Sequence, residues 1–122
     1  MAGCGGSIES FRVPGIIARN LRETAVELSV QVVAGDAVVF DRTVSLAAAT
    51  YEGESNPATV DGETWRVDET FDQPVTLRFR TDSGEWTERT LGERAEDCVR
   101  PIVEVERSGG VDVAYTYTCR LS

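Results

Sequence analysis

Between Val26 and Val44 the chain alternates apolar and polar residues with a period of two, and this rhythm restricts its fold more than any other feature. Val26, Leu28, Val30 and Val32 alternate with Glu27, Ser29 and Gln31, the pattern of a strand with one buried and one wet face, because successive side chains of an extended chain point to opposite sides. After the turn sequence Ala34-Gly35-Asp36, the residues Val38, Phe40, Arg42 and Val44 carry the alternation back, so a long hairpin is predicted. No segment sustains a helical period, and only 92–97 has the makings of a helical turn.

The remaining segments read as shorter strands. Ile8 to Val13 predicts a first strand that turns Phe11 and Val13 inward and ends at Pro14-Gly15, followed by a bend through Ile16 and Ile17. Leu46 to Pro57 reads as an edge strand and loop, since Ala47-Ala48-Ala49 has little to bury and the residues after it are turn formers. From Thr59 a short strand, an Asp61-Gly62 turn and a second strand with Trp65, Val67 and Phe71 are expected, although Glu69 shares their parity. Pro74 opens a strand whose Val75, Leu77 and Phe79 face one way and Thr76, Arg78 and Arg80 the other. Asp82-Ser83-Gly84 then turns the chain in a register that sets Arg80 against Glu85 and Phe79 against Trp86. Thr87 to Leu91 is polar enough for a sheet edge. Roughly seven to nine short strands joined by Gly, Asp and Pro turns predict an all-β fold, an immunoglobulin-like antiparallel sandwich of two sheets, with a barrel as the other closure. Residues 8–122 form this single domain and 1–7 a flexible leader.

At the C-terminal end, Arg107-Ser108-Gly109-Gly110 separates two valine-rich runs, with Cys98 and Cys119 near their outer ends. A three-residue loop over Ser108, Gly109 and Gly110 sets Val105 opposite Val113 and Val103 opposite Tyr115, which matches the apolar faces. Continued without a break, this register puts Cys98 against Arg120, one place past Cys119. A bulge at Val99 to Pro101, where proline withholds a donor in any case, supplies the missing residue and permits a Cys98–Cys119 disulfide. Closing a loop of about 20 residues stabilises by on the order of 3 kcal/mol, and such a bond belongs to an oxidising compartment. The other reading is a pair of reduced core cysteines in a cytosolic protein.

Composition removes whole classes of function. The chain has no His, which rules out Ser-His-Asp and Cys-His nucleophile systems and His-ligated zinc or copper. With 21 acidic against 12 basic residues and a formal net charge of -9, nucleic acid and anionic membrane surfaces are disfavoured, because both are bound by neutralising phosphates. All the basic residues are Arg. At 122 residues the chain suits one domain with a core of its own.

Ala2-Gly3-Cys4-Gly5-Gly6 resembles the end of a lipobox, whose cysteine becomes the lipidated first residue after signal cleavage, and an apolar signal segment is then expected directly before Ala2. An ordinary N-terminus with an incidental thiol is the alternative. Leader, lysine-free acidic composition and strand pattern together resemble small cell-surface lipoproteins of halophilic archaea with an immunoglobulin-like domain, whose surroundings screen like charges within roughly 3 Å at 1 M salt. A high-GC bacterial origin also accounts for the arginine usage. The resemblance implies an extracytoplasmic, lipid-anchored protein that touches the membrane only through a lipid on Cys4, and it brings no catalytic residues.

Several groups are candidates for binding. Acids cluster at Asp61-Gly62-Glu63, Asp68-Glu69 with Asp72, Asp82 with Glu85, and Glu93 with Glu96-Asp97; they could hold calcium or serve as paired carboxylates, but lack the EF-hand spacing and read equally as solvated surface. Trp65, Trp86, Tyr51, Tyr115 and Tyr117 form a sugar or peptide platform if several share one exposed face, and plug the core if they do not. Arg78 and Arg80 face solvent, while Gly109-Gly110 is a turn and no phosphate loop. The expectation is a monomeric, non-catalytic binding or envelope-organising domain without cofactor or metal, whose ligand is a protein or a surface glycan; the alternative is a carboxylate-based calcium- or carbohydrate-binding surface enzyme or ligand-binding subunit. Peptide mapping without reductant should recover Cys98 linked to Cys119, with Cys4 a free thiol in unlipidated protein. A linkage through Cys4 would overturn both tether and hairpin.

Overall fold

The alternating segments become strands whose apolar faces meet. In a computed structural model, which describes residues 10–53, 56–82, 84–93 and 97–119, ten strands follow one another: β1 (Phe11–Asn20), β2 (Val26–Ala34), β3 (Ala37–Leu46), β4 (Thr50–Tyr51), β5 (Pro57–Thr59), β6 (Asp61–Phe71), β7 (Val75–Thr81), β8 (Thr87–Leu91), β9 (Arg100–Val105) and β10 (Val111–Thr116). Two four-stranded sheets, ordered β10-β9-β1-β6 and β3-β2-β7-β8, form the sandwich, and β4 with β5 makes a small separate ribbon. The ladders are antiparallel except for β1 and β9, which run parallel from Ile17↔Ile102 to Asn20↔Val105. The leader at 1–7, with Cys4, and the start of the first strand at Ile8 lie outside the described residues, as does much of the helical turn expected at 92–97.

Between the sheets lie Phe11, Val13, Ile16 and Ala18 of β1, Val26, Leu28, Val30 and Val32 of β2, Leu77 and Phe79 of β7, and Val103 and Val105 of β9, all buried. Each large apolar side chain removed from water contributes roughly 1.5–3 kcal/mol, so this layer dominates the energetics. One buried polar residue, Asn20, spends its whole amide on the turn between β1 and β2: Nδ2 donates to the carbonyls of Thr24 and Ala47, each at 3.0 Å, and Oδ1 accepts from the Arg22 amide at 3.0 Å.

The first strand does not stop at Pro14-Gly15. Val13 pairs with Glu69 and Gly15 with Arg66, so Pro14 stands across from two residues, Val67 and Asp68. This is a bulge, with Asp68 in the left-handed region at φ 56°, and proline is tolerated where the ladder is already interrupted. Arg12 holds the bulge closed through Asp68 Oδ1, 2.7 Å from Nη2 and 3.0 Å from Nε. Asp61-Gly62 is likewise no turn; the pair lies in β6 opposite Asn20 and Arg19. Glu69 keeps the inner parity but remains exposed on this edge strand.

Two expected registers are corrected. Phe79 faces Thr87, not Trp86, and Arg78 faces Glu88. A one-residue slip moves every side chain to the other face, and Trp86 accordingly joins Arg78 and Arg80 outside. In the last hairpin Val105 pairs with Val111 and Val103 with Val113, in an unbroken ladder as far as Arg100↔Thr116. The three-residue loop is Arg107, Ser108 and Gly109, closed by the Glu106 amide donating to the Gly110 carbonyl at 2.7 Å. Gly109, at φ 103°, fills the left-handed third position that such a loop requires. This register slips by two and therefore keeps the same faces, and the bulge expected at Val99 to Pro101 is not formed. Cys98 and Cys119 lie outside the paired strands, where the one-residue offset is absorbed, with Cα atoms 5.2 Å apart and sulfurs at bonding distance.

Gly92, at φ 93°, ends β8 with the Phe11 ring pressed into the space a Cβ would fill. Gly92→Ala should lower stability by about 2–4 kcal/mol, combining left-handed strain with overpacking; urea unfolding measures it, and Gly53→Ala, at an open site, should be silent.

Candidate functional site

The two seams of the sandwich differ. On one side β3 and β6 meet, with the rings of Phe40 and Trp65 5.8 Å apart. On the other, the free edges β8 and β10 leave a cleft of about 580 Å³, a size that suits small-ligand sites. Its lining includes Thr76, Glu88, Arg89, Thr90 and Leu91 from the second sheet, Gly92, Glu93 and Val99 from the connections, and Tyr115 and Tyr117 from β10 and its extension.

Strand parity positions these groups. Arg89 pairs with Leu77 and so lies on the inner parity of an edge strand. Its guanidinium reaches over the rim of the core, 5.7 Å from the Phe79 ring centroid, and Nη1 donates to the Glu88 carbonyl at 3.0 Å. Glu88 and Thr90 point the other way, and the Glu88 carboxylate sits 3.3 Å from Arg78 Nε. That contact lacks hydrogen-bond alignment, for the buried Nε–H of Arg78 has no aligned acceptor. Tyr115 pairs with Pro101 and packs half-buried against the core, whereas Tyr117 is 37% exposed. Burial lifts the Tyr115 phenol above its ordinary value of 10.0; Arg89 opposes the shift, and Tyr117 and Asp112 add to it. The cleft thus offers aromatic surface, guanidinium donors, carboxylate acceptors and hydroxyls that do both.

The other aromatics do not join this surface. Trp65 packs on Phe40 against the core. Trp86 lies on the outer face of its sheet with the guanidinium carbons of Arg78 and Arg80 at 4.6 and 4.5 Å from its ring centroid, each such contact contributing about 0.5–1 kcal/mol at an exposed site. Tyr51 lies under Arg107, 3.8 Å from ring to guanidinium, and donates its hydroxyl to the Leu21 carbonyl at 2.5 Å. Three of the acids singled out as oxygen ligands serve the scaffold: Asp61 accepts from the Ala47 amide at 2.8 Å, Asp82 from the Glu27 amide at 3.2 Å, and Asp68 binds Arg12. Among the described residues no group of three His, Cys, Asp or Glu is gathered to hold a metal ion.

Of the residues singled out in the sequence, then, Tyr115, Tyr117 and Glu93 come together, while Arg89, Thr90, Gly92 and Val99 were not foreseen. Arg89 did carry a signal, a charge at the inner parity of a polar edge strand, but only the true β7–β8 register reveals which parity is inner. No protein-family model matches the chain, and no curated protein is similar to it in sequence.

Because the folded-state value of Tyr115 lies above the unfolded one, its contribution to stability is complete below about pH 10 and fades as the pH climbs through the folded value. Ultraviolet titration should show a phenolate that forms later than in a free tyrosine, and Tyr115→Phe should abolish it. The alkaline loss of stability should be shallower in that variant.

Proposed function

We propose that this chain is the non-catalytic, extracytoplasmic binding domain of a membrane-anchored lipoprotein, monomeric and tethered by a lipid on Cys4, and that it takes its ligand in the cleft between β8 and β10. The cleft carries the reading: one seam of the sandwich is closed by Phe40 and Trp65, and the other is left open with Tyr115, Tyr117 and Arg89 around it. What that lining can do chemically is stack against and hydrogen-bond a ligand. The compartment is supported by the disulfide distance of Cys98 and Cys119 and by the leader sequence around Cys4. A lysine-free surface with a net charge of -9 suits a high-salt exterior, where solubility persists under strong screening.

Two measurements test this. Mass spectrometry of the protein from its native membrane should find a diacylglycerol-type modification on Cys4; an unmodified chain in the soluble fraction would remove the anchor. Purified soluble domain should also cosediment with native envelope fragments at fixed high salt, and a Tyr115→Ala/Tyr117→Ala double variant should lose at least half of the bound fraction. Undiminished binding by that variant would sink the cleft as the site.

A further inference from the structure

We infer that the cleft between β8 and β10 receives a neutral saccharide. This deepens, and rests on, the reading of the chain as a binding domain with its site in that cleft.

Two features separate a saccharide from an extended peptide. A partner strand adding to β8 would have to cover Arg89, a charge on the inner parity of the edge, and such a residue discourages strand addition. Along β8 the residues Thr87 to Thr90 are all exposed and polar, so no alternating apolar pockets await a peptide's side chains. A polyol needs something else: a flat apolar face to stack on, with donors and acceptors interleaved around it. Tyr117 supplies an exposed ring beside the half-buried Tyr115. Arg89 supplies donors, Glu93 acceptors, and the Tyr115 hydroxyl supplies both.

Charge decides for a neutral ligand. Glu88 is engaged by Arg78, which among the described lining residues leaves Arg89 and Glu93 as the opposed charges at the mouth, on a chain whose net charge is -9. An acidic sugar meets Glu93 and the surrounding field and gains one guanidinium in return. A neutral sugar uses both groups and is repelled by neither.

The test uses the whole domain at fixed high salt, titrated with maltohexaose, cellohexaose and mannohexaose as neutral probes and with hexagalacturonate as the acidic one, followed by amide chemical shifts. At least one neutral hexasaccharide should move the amides of 89–92 and 115–117 saturably. Tyr117→Ala should weaken that binding about tenfold through loss of stacking while its amide spectrum keeps the dispersion of a folded domain, and Tyr117→Phe should retain the binding. If hexagalacturonate binds as tightly as the neutral sugars, or no neutral probe moves those amides, the inference is wrong. Should the sugars fail while the domain still cosediments with envelope fragments through the cleft, only the ligand class falls; failure of both removes the binding reading as well.

Discussion

The sandwich depends on β1 being paired along both edges. Its whole length lies against β6, and its second half, from Ile17 to Asn20, also runs parallel to β9, with a single bridge from Arg12 to Cys98 continuing the contact toward the N-terminus. Without β1 the hairpin of β9 and β10 has no partner in its sheet and β6 has none either, and an isolated two-stranded hairpin is marginal in water. The same strand delivers Phe11, Val13, Ile16 and Ala18 to the core. The bulge at Pro14 reconciles these duties: the inner-facing residues are odd-numbered before it and even-numbered after it, so one strand presents apolar residues inward over its whole length.

That bulge marks the limit of what alternation reveals. Strands with a strict period of two, β2 above all, are legible because one face must be buried, and the β2–β3 hairpin forms around Gly35-Asp36 with Val26 facing Leu46 and Val32 facing Phe40; Val38, expected on the face of Phe40, instead pairs with Val33 across a bulge at Val39 and is exposed. Where parity changes inside a strand, as at Pro14-Gly15, the same rule sees an ending. The two corrected registers fail for different reasons. At β9–β10 a slip of two leaves every face unchanged, so hydrophobic matching cannot distinguish the alternatives, and either of two adjacent glycines satisfies the left-handed position. At β7–β8 an attractive pair, Phe79 with Trp86, competes with an arrangement that gives Trp86 two guanidiniums instead. The cleft itself was illegible, since it arises from which edges are left apart, and sequence patterns fix faces before they fix edges.

The arginine-only surface finds a local use that its composition did not specify. Arg12–Asp68, Arg19–Glu104 and Arg78–Glu88 tie neighbouring strands across the ladder, and Arg22–Asp82 and Arg107–Glu23 tie turns to each other. Exposed pairs of this kind contribute about 0–1 kcal/mol each, so they do not hold the fold together. Guanidinium nevertheless does what ammonium does less well: it lies over the rings of Phe40, Phe79, Tyr51 and Trp86 while its N–H groups reach an acceptor. Rings at the rim of the sandwich are thereby covered by charge, which keeps an acidic protein with exposed edges from presenting bare aromatic surface.

The two outer strands of the second sheet make the point about function. Each carries an arginine on its inner parity lying over a rim phenylalanine, Arg42 on Phe40 at 5.0 Å in β3 and Arg89 on Phe79 at 5.7 Å in β8. Edge protection explains both, since an inward charge resists the docking of a foreign strand. It does not explain why their surroundings differ. Beside Arg42 the seam is filled, because Trp65 of β6 closes on Phe40. Beside Arg89 the facing residues are Tyr115 of β10 and Tyr117 just beyond it, and the space between the edges stays open. Protection alone requires only the charge, and it leaves unaccounted for the open space with tyrosines on the opposite wall. The asymmetry between two otherwise equivalent edges is therefore the observation on which the proposed binding site rests.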